Sequence, residues 1–362
     1  MKEANSTTES ASLIAQSKDS DNPGIKPKFD FSLINPESIN NEFNELLKQD
    51  NEQGTKSGFF ICRTANDCIE AAKSQPIPKK LFFSLIFENE LTILVADTGV
   101  GKSIFAVQIA NEISLTEKVI YLDLELSDKQ FQGRYSDNYE NEFVFNPNFY
   151  RVVFKRRFEM PNGISYEDYF IESLTSLINN TGAKIVIIDN MTRLITGDTD
   201  QAKSAKPLMD SLNNLKFDFS LTMLLLEHTK KVDTCKPIQL NDLQGSKMKA
   251  NFADAVFTIG RSAKDKNLRY VKQLKVRSCE AEFDSENVIV YEVVKQNSFL
   301  NMQFIEFGSE YDHLKQLTES DRANRHDQIT ELKGQGLSNT QIGKQLGITE
   351  GAVRKQLKKS NQ

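Results

Sequence analysis

Leu91-Thr92-Ile93-Leu94-Val95-Ala96-Asp97-Thr98-Gly99-Val100-Gly101-Lys102-Ser103-Ile104 sets the expectation for everything around it. Its first five residues are an apolar, β-rich run. Its end opens a helical pattern from Ser103 to Ile113. Strand, tight glycine-bearing loop and helix form the setting that a phosphate-binding loop requires. Gly99 and Gly101 let backbone N–H groups turn inward around phosphate oxygens. The helix that follows points its positive end at the same anion. Lys102 reaches the β/γ-phosphates as a point charge, and Ser103 supplies a hydroxyl for Mg²⁺. The pattern has Gly at its first position and this chain has Ala96, which adds one methyl group where the turn opens. Residues 96–104 are the candidate nucleotide-binding residues, with ATP and Mg²⁺ as the expected ligands.

Composition sets the limits. The 362 residues suffice for one large domain plus something small. A hydrophobic fraction of 39% with 26% charged residues fits a globule with a sizeable core. The net charge of −5 gives no global sign of nucleic acid. Charge is placed unevenly, however: Asp321–Gln362 holds eight Lys/Arg and four Asp/Glu, a local +4, which leaves −9 for the remainder. A basic tail on an acidic body suggests one patch for a polyanion. Cys62, Cys68, Cys235 and Cys279 show no metal-ligand spacing and read as reduced thiols of a cytoplasmic protein. The polar start, Met1-Lys2-Glu3-Ala4-Asn5-Ser6, has no signal-peptide core. Glu88 and Glu90 interrupt the most apolar stretch, so no membrane partner is expected.

Along the chain, residues 1–55 are polar and read as a disordered arm, with one short helix near Ile39–Lys48. Apolar runs then alternate with helical patterns: Lys118–Leu124, a strand near Tyr150–Phe154, a helix Ser165–Asn179, Lys184–Asp189, a helix near Pro207–Leu215 and Leu221–Leu226. Arg193–Ala205 reads as a polar loop. This alternation predicts a parallel sheet covered on both faces. From Ala255 the strands follow one another with short connections, so the sheet is expected to finish antiparallel. In the tail, Asp321–Lys333 is a helix closed by Gly334-Gln335-Gly336. Ser338-Asn339-Thr340-Gln341 is a capping box that opens a second helix, and Thr349 caps a third. Three short helices with a Gly347 turn match a helix-turn-helix.

Hydrolysis needs a metal-side carboxylate, a water-orienting group and a cation for developing charge. Asp189 ends an apolar strand and is the candidate Mg²⁺-side carboxylate, beside Ser103. Glu125 follows another apolar strand, expected to neighbour the strand before the loop, where a carboxylate can deprotonate water.

Val119-Ile120-Tyr121-Leu122-Asp123-Leu124-Glu125-Leu126-Ser127, continuing to Gln130 and Arg134, resembles the second-strand motif of RecA-superfamily ATPases. The likeness is greatest to plasmid RepA-type and DnaB-type hexameric helicases and spans Pro76 to Phe307. It implies that Glu125 is the catalytic base. Leu226-Glu227-His228-Thr229-Lys230-Lys231 is similar to the His-His-x-x-Lys segment of the RepA branch, with Glu227 in place of the first His. His228 then carries over as γ-phosphate sensor. Gly245-Ser246-Lys247 with Ala253-Asp254 is similar to a mobile loop near the central channel. Lys275-Val276-Arg277 looks like the Lys-x-Arg finger that such rings insert into a neighbour's site, so Lys275 and Arg277 join Lys102, Glu125 and His228 as catalytic candidates.

In the last helix Val353 and Leu357 share a face and should be core. Arg354, Lys355, Lys358 and Lys359 then face outward as DNA-binding candidates. The expected architecture is α/β: an arm at 1–55, a RecA-like ATPase domain at 56–310 and a small all-α helix-turn-helix domain at 320–362. The expected activity is Mg²⁺-dependent ATP hydrolysis on DNA by a hexameric ring helicase of a plasmid or mobile element. The alternative is an ATP-switched DNA-binding regulator or recombination accessory protein.

Overall fold

The computed structural model describes residues 55–57, 60–155, 157–194, 202–230, 232–243, 247–316, 319–346 and 348–359. The expected N-terminal arm, apart from Thr55, and the helix near Ile39–Lys48 lie outside them, as do Gly245, Ser246 and Gly347. The chain divides into two compact units, residues 1–77 and 78–362. In the first, β1 (Thr55–Ser57) pairs antiparallel with β2 (Phe60–Cys62). Helix α1 (Ala65–Lys73) follows, and its first turn is capped by the Thr64 hydroxyl, which accepts from the N–H of Asp67 at 3.1 Å.

The second unit is built on one nine-stranded sheet. In chain order its elements are β3 (Lys80–Phe82), β4 (Ile86–Phe87), β5 (Leu91–Ala96), α2 (Lys102–Ile113), β6 (Val119–Asp123), α3 (Asp128–Arg134), β7 (Ser136–Asp137), β8 (Asn141–Glu142), β9 (Phe149–Val152), α4 (Tyr166–Thr181), β10 (Ile185–Asp189), α5 (Ala202–Phe219), β11 (Thr222–His228), α6 (Lys247–Phe252), β12 (Ala255–Arg261), β13 (Leu268–Lys275), β14 (Val288–Gln296) and β15 (Phe299–Gly308). The sheet order is β15-β14-β13-β12-β5-β11-β10-β6-β9. The six strands from β12 to β9 are parallel, and β13 to β15 close the sheet antiparallel. Strands β5, β6 and β10 are buried along their whole length, as expected where helices cover both faces.

Period-two alternation divides the core. Leu94, Tyr121, Ile187, Leu224 and Phe257 face the side covered by α2, through Phe105 and Ile109. Ile93, Ile120, Val186, Met223 and Val256 face the side covered by α4 and α5, through Leu174, Ile178, Leu208 and Leu212. Burying one such side chain contributes roughly 1.5–3 kcal/mol, so both layers hold the sheet.

Three expectations need correction. β6 does not neighbour β5, because β11 and β10 lie between them. Long helical crossovers let consecutive strands land apart, and no local signal encodes where. Strand β12 is still parallel to β5, so antiparallel pairing starts one strand later than Ala255. Finally, residues 202–205 are helical, not loop, and Pro207 lies inside α5. Ala202 and Ala205 favour helix, and Ala205 is buried, so packing carries the helix through the proline.

Beyond the sheet, α7 (Glu319–Gly334), α8 (Asn339–Leu346) and α9 (Glu350–Lys359) pack around Ile329, Ile342 and Val353, all fully buried. Leu357 packs against this cluster. Ser338 and Gln341 form the expected reciprocal cap, at 2.9 and 3.3 Å, and the Thr349 hydroxyl accepts from the N–H of Ala352 at 3.2 Å.

Candidate nucleotide site

The loop between β5 and α2 is at the edge where the parallel strands end. Gly99 and Gly101 have φ of +69° and +114°, a region that L side chains avoid. A Cβ on Gly101 would also lie 2.5 Å from Cε of Met302 on β15. Asp97, Thr98 and Gly99 are exposed, so the loop is open to a ligand.

Lys102 begins α2 and is 7% exposed. Its ammonium donates to the carbonyls of Ala96 and Asp97 at 2.7 and 3.1 Å and lies 3.1 Å from Nδ1 of His228. Burial lowers its pKa, against the pull of Asp189, Glu125, Asp97 and Glu227. Three acceptors and four carboxylates thus surround one cation at the base of the loop.

Asp189 ends β10 and is 2% exposed. Its carboxylate accepts from Tyr121 Oη at 2.7 Å and from the Ser103 hydroxyl, yet burial still holds its pKa above the usual range. A buried carboxylate beside a helix-start hydroxyl fits a hard divalent cation, which favours oxygen ligands. Among the described residues no group of three or more His, Cys, Asp or Glu is placed to hold a metal alone. Mg²⁺ here would rest on Ser103, with Asp189 behind it, and on water and phosphate oxygens.

Glu125 is exposed, two residues past the end of β6. The Asn190 amide donates to it in a short hydrogen bond and also lies 3.5 Å from Nε2 of His228. His228 ends β11; burial, then the Lys102 cation, lowers its pKa and favours the neutral imidazole. The nearby Asp123 is differently employed. It is buried, accepts from the N–H groups of Glu125 and Leu126, and pairs with Arg151 at 2.9 Å.

Lys102, Ser103, Glu125, Asp189 and His228 therefore meet at one place. Lys275 and Arg277 do not join them. Lys275 pairs with Val256 at the opposite edge of the sheet and donates to the carbonyls of Ala250 and Ala253 at 2.7 Å each. Arg277 reaches the Asn251 carbonyl at 2.9 Å and Asp254 at 3.3 Å. Neither serves the loop of its own chain. In α9, Arg354, Lys355 and Lys358 are exposed. Lys359 ends that helix, and its side chain lies outside the described features.

Asn190, Tyr121 and Lys249 escaped the sequence reading. Asn190 follows Asp189 directly, which is its one signal. Lys249 pairs with Glu227 at 2.7 Å with both side chains buried. That pair explains the Glu227 that stands before His228, a residue the sequence left without a role. Burial raises the Glu227 pKa and the Lys249 cation opposes it.

A family model described as an AAA domain matches residues 62–234. That range includes the loop, Glu125, Asp189 and His228 but not Lys275, Arg277 or the last three helices. No curated protein matches. Among solved structures, the chain is similar to a KaiC-like protein of the hyperthermophilic archaeon Pyrococcus horikoshii OT3, at 17% identity and a TM-score of 0.44, over 61% of this chain and 94% of that one. Over residues 62–234 the AAA domain match and the glycine-bearing loop agree on a P-loop ATPase domain. No helix among the described residues is long and apolar enough to cross a membrane.

Proposed function

We propose that this chain hydrolyses ATP with Mg²⁺ and couples the hydrolysis to DNA as a ring-forming oligomer, in the manner of RepA-type and DnaB-type helicases. The observation that carries the reading is the convergence of Lys102, His228, Asn190 and Glu125 on one loop. Lys102 leaves the Ala96 and Asp97 carbonyls for the β/γ-phosphates. Bound Mg²⁺ supplies positive charge to the phosphate oxygens. Asn190 holds the Glu125 carboxylate, which takes the proton of the attacking water. Neutral His228 senses the γ-phosphate through Nε2 or Nδ1. Lys275 and Arg277 act on a neighbouring copy, since their own loop is out of reach.

The last three helices act as a helix-turn-helix that presents Arg354, Lys355, Lys358 and Lys359 to DNA phosphates or base edges. This favours a second reading, because a motor that threads single strands has no need of duplex recognition. In that reading ATP switches assembly of a DNA-binding regulator or recombination accessory protein. Strand displacement measured beside ATPase with and without single-stranded DNA separates the two. A motor shows both ATP-dependent displacement and stimulation. A switch shows neither, and a protein without Mg²⁺-dependent ATPase under any condition contradicts both.

A further inference from the structure

Two arginines that the sequence reading did not single out stand against the loop. Register pairs Arg261 with Arg269 and Ile259 with Ala96, so both guanidiniums lie at the sheet edge that carries the loop. Arg261 Nη2 donates to the Thr98 carbonyl at 3.2 Å. A Cβ on Gly99 would lie 3.2 Å from the same nitrogen, so the guanidinium rests directly on the tip of the loop. Arg269 is buried behind it. Its Nε donates to the Val100 carbonyl at 2.7 Å, and its Nη1 donates to the carbonyls of Lys266 and Leu268.

The charge balance is unusual. Among the described residues the arginines paired with carboxylates are Arg151 and Arg277, not Arg261 or Arg269. Burial, then the cation of Arg261, lowers the Arg269 pKa. Two neighbouring guanidiniums without a counter-ion, one of them exposed, favour an incoming anion. By contrast, Lys275 is placed five residues along β12 from Arg261, about 17 Å at strand rise.

We infer that Arg261 is a phosphate-binding residue supplied by the same chain as the loop. When a nucleoside polyphosphate enters, its guanidinium exchanges the Thr98 carbonyl for phosphate oxygens, a charge-assisted contact. Arg269 stays in place and braces Val100. The inference rests on the nucleotide reading above and adds a second cation to Lys102, on the β12 side of the loop.

The test is titration of the full chain with a fluorescent ATP analogue and, by competition, with inorganic tripolyphosphate, which has no base or sugar. Arg261→Gln should weaken both ligands by about 10- to 100-fold, the range for a hydrogen bond to a charged group. Arg261→Lys should recover part of the loss. Lys264→Gln removes an exposed charge of the following loop and should bind both like wild type, which excludes a diffuse field effect. Unchanged tripolyphosphate affinity in Arg261→Gln, with thermal stability intact, overturns the inference, whether or not ATP binding falls. Lys102→Ala keeps the two readings apart. If Lys102→Ala abolishes binding while Arg261→Gln does not weaken it, the inference fails and the nucleotide site stands. If neither matters, the site itself is misassigned.

Discussion

The ammonium of Lys102 lies 3.1 Å from Nδ1 of His228, and the other ring nitrogen lies 3.5 Å from the Asn190 amide that holds Glu125. One imidazole, with Asn190, therefore links the phosphate-binding cation to the candidate base across four strands, β5, β11, β10 and β6. A phosphate entering the loop must replace the Ala96, Asp97 and His228 contacts of Lys102. Lys102→Ala should abolish ATP turnover and weaken nucleotide binding while leaving the thermal midpoint near that of wild type. Turnover at the wild-type rate would remove the loop from the mechanism.

Asp123 and Glu125 are two residues apart and make opposite predictions. Asp123 is committed to Arg151 and two backbone N–H groups, so Asp123→Asn should destabilise the protein by breaking a buried pair. Glu125 is exposed and held by Asn190. Glu125→Gln should keep stability and nucleotide binding and lower turnover by roughly 10²–10⁴-fold. Denaturation and ATPase curves on both variants decide. A stable, inactive Asp123→Asn beside a fully active Glu125→Gln would exchange the roles.

His228 gives a pH dependence with a definite sign. Burial and Lys102 lower its pKa below 6.5, so on acidification the unfolded chain takes up the proton first. The contribution of neutral His228 to stability is complete above pH 6.5 and is lost as pH falls through the lowered folded value. Protonation would also place two cations 3.1 Å apart. Raised pKa values at Asp189 and Glu227 act in the opposite sense, so the measurement is a difference. Urea midpoints of wild type and His228→Gln, followed from pH 7.5 to 5, should show wild type losing stability relative to the variant. Parallel curves would mean that His228 does not titrate as its surroundings require.

Strand ends explain what the sequence revealed. Parallel strands bring their C-terminal ends to one edge, so Lys102, Glu125, Asp189 and His228, with 126 residues separating the first from the last, were readable as neighbours. What stayed hidden depends on register and crossover. Arg261 and Arg269 sit at ordinary strand ends; parallel pairing of β12 with β5 brings the first to the loop, and antiparallel pairing of β13 with β12 brings the second. Glu227 and Lys249 are 22 residues apart on different elements, and neither carries a local sign of being buried with the other. The position of β6 beyond β11 and β10 follows from helical crossovers whose destination no short motif records.

Gly343 tests the three-helix unit without touching the ATPase site. A Cβ there would lie 2.7 Å from the Ile348 carbonyl and 3.4 Å from the N–H nitrogen of Glu350, so α8 and α9 approach through a gap that only glycine leaves. Gly343→Ala should cost the unit about 1–3 kcal/mol, the usual range for overpacking. Hydrogen exchange in 319–359 of the full chain should accelerate. Duplex-DNA affinity and its salt dependence should fall, because Arg354, Lys355 and Lys358 lose their scaffold. ATPase without DNA should not change. DNA binding that survives loss of the helices would assign the contact to the sheet domain.

Lys275 and Arg277 test assembly. Within one chain they are tied to the Ala250, Ala253 and Asn251 carbonyls and to Asp254, at the sheet edge away from the loop. No small rotation brings them to Lys102 of the same copy. If they are finger residues, the active site exists only between copies, and a cation supplied in trans is worth roughly 10³–10⁵ in rate. Turnover per subunit should then rise with protein concentration. Arg277→Ala and Lys102→Ala should each be nearly inactive, for different reasons: one lacks the finger, the other the phosphate cation. Mixed, they should regain part of the activity, because an interface that takes its loop from the Arg277→Ala copy and its finger from the Lys102→Ala copy is intact on both sides. Activity that stays flat down to monomeric concentrations, or an Arg277→Ala enzyme as fast as wild type, would reduce the two residues to what their contacts within the chain already explain, a cap on the C-terminal end of α6.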